Sequence, residues 1–122
     1  MKIQESSENY LEQILILSKT KLEVRSIDIV NSMNFSKPSV SIAMKNLKEH
    51  GYIEISSKGI ITLTKKGLEI ATKVYERHCI ITNALIKLGV SNEIASKDAC
   101  KIEHDLSEES FNALKDYINN KM

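Results

Sequence analysis

Nowhere in its 122 residues does the chain carry an apolar run near the ~20 residues that a membrane-spanning helix needs. Its start, Met1-Lys-Ile-Gln-Glu-Ser-Ser-Glu, lacks the apolar core of a secretory signal. The expectation is a cytoplasmic protein with no membrane partner. Cysteine is scarce: Cys79 and Cys100 are too few for a disulfide framework, and a reducing compartment would keep both as thiols. No Cys-x-x-Cys pattern marks a redox pair. Neither a repeat nor a low-complexity linker occurs, and 42% hydrophobic content over this length suits one domain, or a small head with a helical extension. A His-Glu-x-x-His or nucleophile motif is also missing, which argues against a metal-dependent hydrolase. Neither an enzyme activity nor a small organic substrate is expected.

Charge is almost balanced at +1, but it is not evenly spread. Residues 1–18 carry one basic and three acidic side chains, residues 19–66 nine basic and four acidic, and residues 67–122 seven basic and nine acidic. The positive middle block could meet phosphates without making the whole chain a polycation.

The periodicity explains what that block is. Tyr10, Leu11, Ile14, Leu15 and Leu17 repeat at helical spacing behind a Ser6/Ser7 cap, predicting a helix over roughly 7–19. Ile27, Ile29, Val30 and Met33 predict a short helix from Ser26 to Met33. Asn34-Phe-Ser-Lys-Pro then breaks the pattern, and Pro38 belongs in a first turn. Val40, Ala43, Met44 and Leu47 continue to Gly51, a natural helix end. The pair reads as a helix-turn-helix. Tyr52-Ile-Glu-Ile-Ser and Ile60-Ile-Thr-Leu-Thr, joined by Ser57-Lys-Gly, read as a hairpin wing. From Thr64 a long helix runs to Gly89, followed by helices over about 91–105 and 107–119. The fold class expected is mainly α: an N-terminal winged helix-turn-helix with a two-stranded wing, over 1–63, then a helical domain over 64–122.

Cys100, Glu103 and His104 place a thiol, a carboxylate and an imidazole at helical offsets of three and four, on one face. A donor set of one thiolate, one or two imidazoles and carboxylates suits Fe(II), Co(II), Zn(II) or Ni(II) better than Mn(II). A lone Cys or His on a helix is more often packing or surface than a ligand. Cys79 has that bland reading, a small hydrophobe in the long helix.

The element order, together with Glu8-Asn-Tyr-Leu-Glu-Gln-Ile, Lys37-Pro-Ser-Val-Ser, Leu63-Thr-Lys-Lys-Gly, Arg77-His and Cys100-Lys-Ile-Glu-His-Asp-Leu-Ser, resembles the diphtheria-toxin-repressor family of iron- and manganese-dependent regulators. The resemblance covers nearly the whole chain, and the end at Met122 looks like the short, manganese-regulator form. It implies metal ligands at Glu12, His78, Cys100, Glu103 and His104, with Fe(II) or Mn(II) as the natural ion and Zn(II), Co(II) or Ni(II) as ions that would also bind in vitro. The signature is mixed: a Cys at position 100 matches iron-type members, whereas Glu12 matches the manganese type. Asn9, Thr82 and Ser96 depart from the family's further ligands. A metal-independent repressor with a decayed site is therefore the alternative.

For DNA, Ser36, Lys37, Pro38, Ser39 and Ile42 lie at the front of the recognition helix, which in this motif enters the major groove. Pro38 and Ile42 could touch thymine methyls, while Lys37, Lys45, Lys48 and the wing Lys58 hold phosphates. Each lysine taken alone is as well explained as a solvated surface charge. One reader of this size makes few contacts, so a homodimer on a double-stranded operator is expected. Its core would come from the long helix with Ile102, Leu106, Phe111, Leu114 and Ile118. The resulting expectation is a metal-activated repressor of metal-uptake genes. A winged-helix protein-interaction module is a further alternative, disfavoured by the basic middle block.

Overall fold

Leu11, Ile14, Val40 and Met44 fix the first part of the fold, each almost fully withdrawn from water in the computed structural model, which describes residues 5–121. Six helices and one two-stranded sheet are found among the described residues: α1 Glu5–Ser18, α2 Ser26–Met33, α3 Lys37–Glu49, β1 Ile53–Ile55, β2 Ile61–Leu63, α4 Lys65–Lys87, α5 Asn92–Ile102 and α6 Glu108–Lys121. The chain divides into two compact units, one ending at Thr72 and the other beginning at Lys73. Helix α4 contributes residues to both.

In the first unit, Tyr10, Leu11, Ile14, Val24, Ile29, Val40, Met44, Leu47, Ile53, Ile61 and Ala71 form one core. Burying a leucine such as Leu11 contributes about 2 kcal/mol relative to leaving it exposed. Helix α1 starts earlier than its expected cap, so Ser6 and Ser7 lie inside the helix while Glu5 and Glu8 occupy its first turn, where the dipole favours acids. Helix α2 ends at Asn34, whose φ of 58° is left-handed and whose N–H donates to the Val30 carbonyl. The Ser36 hydroxyl then accepts from the Ser39 N–H at 3.2 Å and caps α3, with Pro38 in the first turn.

The wing is antiparallel, with Ile53 opposite Leu63, Glu54 opposite Thr62 and Ile55 opposite Ile61. Val24 extends the sheet by one bridge to Ile61. At the tip, the Ser56 hydroxyl accepts from Lys58 and Ile60 N–H groups at 3.2 and 3.1 Å. After the wing, Thr64 donates its hydroxyl to the Gly51 carbonyl at 2.7 Å, accepts from the Gly67 N–H at 3.2 Å, and donates its own N–H to the Tyr52 carbonyl at 3.1 Å. Those bonds turn the chain sharply from β2 into α4.

In the second unit, Val74, Ile81, Ala84, Ala95, Ala99 and Phe111 are buried. Ser91 caps α5 and the Ser107 hydroxyl accepts from Ser110 N–H at 3.1 Å, starting α6. Helix α5 stops at Ile102, short of its expected end. There the Asp105 and Leu106 N–H groups both turn back to the Ile102 carbonyl, at 3.0 and 3.2 Å.

Candidate metal centre and nucleic-acid interface

Glu103 is the least expected residue of the second unit: a carboxylate only 2% exposed. Burial of an ion without compensation costs several kcal/mol, so its partners matter. Its Oε2 lies 3.0 Å from His78 Nδ1 on α4. Its Oε1 lies 3.4 Å from His104 Nε2 but makes no hydrogen bond. The other ring nitrogen of His78 lies 3.4 Å from the Ser96 hydroxyl on α5. Helices α4 and α5 and the turn after α5 therefore bring an acid and two imidazoles together. Carboxylates and imidazoles are donors that divalent cations accept, and one buried oxygen of Glu103 has no hydrogen bond.

The five residues expected as ligands fall into different settings. His78 and His104 each lie against a different oxygen of Glu103. Glu103 is the C-cap of α5, with helical dihedral angles and its N–H donating to the Ala99 carbonyl at 2.9 Å, and His104 follows it in the turn. Cys100 sits exposed on the last helical turn, in no disulfide. Glu12 is buried on α1 in the first unit. Cys79 is half-buried rather than enclosed. Thr82, one helical turn after His78, has a buried hydroxyl with no hydrogen bond. Of the apolar residues assigned to a dimer core, Phe111 is already buried within the chain, whereas Ile102 is 38% exposed.

Sequence reasoning missed the part played by Arg77. Its Nη1 donates to the Glu103 carbonyl at 2.9 Å and to the Leu106 carbonyl at 2.6 Å. Its Nη2 reaches Glu108 at 3.4 Å, and the guanidinium lies 5.0 Å from the Phe111 ring centroid. The only signal in the sequence was its place next to His78.

In the first unit, Ser36, Lys37, Pro38, Ser39, Ile42 and Lys45 are all exposed on the leading part and outer face of α3, and Lys58 is exposed at the wing tip. Ile42 is 64% exposed. Ser36 and Ser39 hydroxyls bond each other at 2.8 Å. Arg25, at the start of α2, donates to the Lys58 carbonyl and pairs with Glu23 at 2.9 Å, tying the wing tip to the helix-turn-helix. Asp28 accepts from the Arg25 N–H at 2.9 Å, and that bond, helped by Lys21 at 3.4 Å and opposed by burial, holds its carboxyl below the usual range.

A winged helix-turn-helix with an exposed reader, followed by a helical unit in which a buried carboxylate lies against two imidazoles, is the architecture of a DNA-binding protein. Residues 2–61 match the family model of the iron dependent repressor N-terminal DNA binding domain, and residues 64–121 match its metal binding and dimerisation domain. The chain belongs to the iron-dependent repressor family. It is 37% identical over 108 residues to the transcriptional regulator MntR of Escherichia coli O157:H7, covering 88% of this chain and 70% of that one. An uncharacterized HTH-type transcriptional regulator of Methanocaldococcus jannaschii is 34% identical over 116 residues, covering 93% of each. Among solved structures, the manganese regulator SloR superposes with a TM-score of 0.83 at 27% identity over 98% of this chain. This chain spans 55% of the SloR chain. The expected fold class, a mainly helical winged helix-turn-helix followed by a helical domain, is the one observed.

Proposed function

We propose that the protein is a dimeric, cytoplasmic repressor of metal-uptake genes whose binding to a double-stranded operator is switched on by Fe(II) or Mn(II). The observation that carries this reading is the buried Glu103 carboxylate, with one oxygen on His78 and the other without a hydrogen bond. Glu12, His78 and Glu103 would hold the ion, with His104 and Cys100 as further candidate donors. The bound ion would supply positive charge beside the buried Glu103 carboxylate. His78 Nδ1 and Glu103 Oε2 lie 3.0 Å apart, so an ion held by both would take the place of that contact. Because Cys100 is exposed, an oxygen- and nitrogen-rich set remains without it, and that set suits Mn(II) better than one built around a thiolate.

An ion held by Glu12 together with His78 and Glu103, as the family resemblance implies, would couple metal to DNA binding. Linkage then requires DNA to tighten metal by the factor by which metal tightens DNA. Ser36, Lys37, Pro38, Ser39 and Ile42 would meet the major groove, and Lys45 and Lys58 the phosphates. Equilibrium Mn(II) binding, read by electron paramagnetic resonance, tests the site: Glu103→Gln is expected to lose the bound ion while keeping its circular dichroism spectrum. Unchanged binding in that variant would refute the assignment, and unchanged binding in Cys100→Ser would place the thiol outside the site.

A further inference from the structure

Arg77 makes bonds that the expected ligand set does not account for. It is only 9% exposed, and its side chain reaches across to the turn that follows α5. The carbonyls at a helix C-terminus have no partners within the helix, and the negative end of the helix dipole lies there. Nη1 satisfies two carbonyls in this region, those of Glu103 and Leu106, and Nη2 reaches the Glu108 carboxylate in the first turn of α6. The Phe111 ring supports the guanidinium from α6. A lysine could not reproduce this arrangement, because its ammonium is a single point with no planar fork.

Successive residues on a helix point about 100° apart, so Arg77 and His78 reach Glu103 by different routes. Arg77 holds its main chain and His78 holds its carboxylate. We infer that Arg77 is a positioning residue for the metal site, clamping the turn that carries Glu103 and His104 so that both side chains are set before an ion arrives. This inference rests on the metal-binding reading above and adds to it the residue that preorganises the ligands. The same guanidinium joins that turn to α6, so the metal-bearing turn and the last helix are held as one piece.

The test compares the full-length wild type with Arg77→Lys, Arg77→Met and Lys73→Ala. Lys73 pairs with Glu108 on the surface and leaves the clamped carbonyls untouched, so its variant reports any general loosening of α6. At a temperature where circular dichroism shows each protein folded, Mn(II) affinity is expected to fall about 10–100-fold in both Arg77 variants, the usual range for residues that orient ligands, and to stay at the wild-type value in Lys73→Ala. Hydrogen exchange of the metal-free proteins is expected to show faster exchange over residues 103–107 in the Arg77 variants only. If Arg77→Met does not fold, Arg77→Lys carries both readouts. Wild-type Mn(II) affinity in Arg77→Lys, or unchanged exchange over 103–107, overturns the inference while leaving the metal site standing. A wild type that takes up neither Mn(II) nor Fe(II) overturns the metal reading itself, and the inference with it.

Discussion

Replacing Gly67 by alanine sets two effects of opposite sign against each other. By helix propensity alone the change should stabilise α4 by about 1 kcal/mol. The position does not allow it: a Cβ there would lie 2.0 Å from the Tyr52 carbonyl oxygen and 3.0 Å from its carbon, with Leu63 Cδ2 at 3.4 Å. An ordinary carbon–oxygen contact is about 3.3 Å or more, so main chain would have to move by more than an ångström. The carbonyl cannot retreat freely, because it accepts the Thr64 N–H at 3.1 Å. Overpacking of this kind costs about 1–3 kcal/mol or more, and losing the Thr64 bond adds roughly 1 kcal/mol. The net expectation is a loss of about 1–3 kcal/mol, seen as a lower urea midpoint at unchanged slope, with faster hydrogen exchange in β1 and β2. An equal or higher midpoint would show that the tight junction between wing and α4 is wrong.

Ser36→Ala should remove the cap of the recognition helix and cost about 1 kcal/mol, with faster exchange in the first turn of α3; unaltered exchange there would contradict the capping geometry. Asp28 has a lowered pKa in the folded state, so its contribution is fully present above the ordinary Asp value of about 3.9 and is lost as pH falls through the lowered folded value. The difference in urea midpoint between wild type and Asp28→Asn should therefore shrink on acidification below about pH 4, and a pH-independent difference would argue against the Arg25 bond as its cause. Lys58→Ala should weaken DNA binding similarly across sequences and reduce the slope of log affinity against log salt by about one. A change in sequence preference with an unchanged slope would remove Lys58 from the phosphate contacts.

The elements were legible where one signal acted alone. Ser26–Met33 carries its apolar stripe between an extended Arg25 and a left-handed Asn34, and its range is as expected. The Ser57-Lys-Gly turn likewise marked the wing. The ends of helices were less legible because partners far along the chain decide them. Helix α5 stops at Ile102 where Arg77, 26 residues earlier than Glu103, takes the Glu103 carbonyl. Helical spacing grouped Cys100 with Glu103 and His104 but carried no sign of their burial: Cys100 is exposed and the Glu103 carboxylate is enclosed. Likewise, nothing in a periodic pattern reveals that Tyr52 lies against Gly67, although the glycine itself stood within a motif that carried the family resemblance.

Anoxic titration of metal-free protein with Mn(II), Fe(II), Co(II) and Zn(II), while anisotropy reports binding to DNA from its own promoter, decides whether a divalent metal governs DNA binding. A steep gain in affinity with Mn(II) or Fe(II), absent from Glu103→Gln, is the predicted result. The same affinity with metal and with chelator would contradict the account.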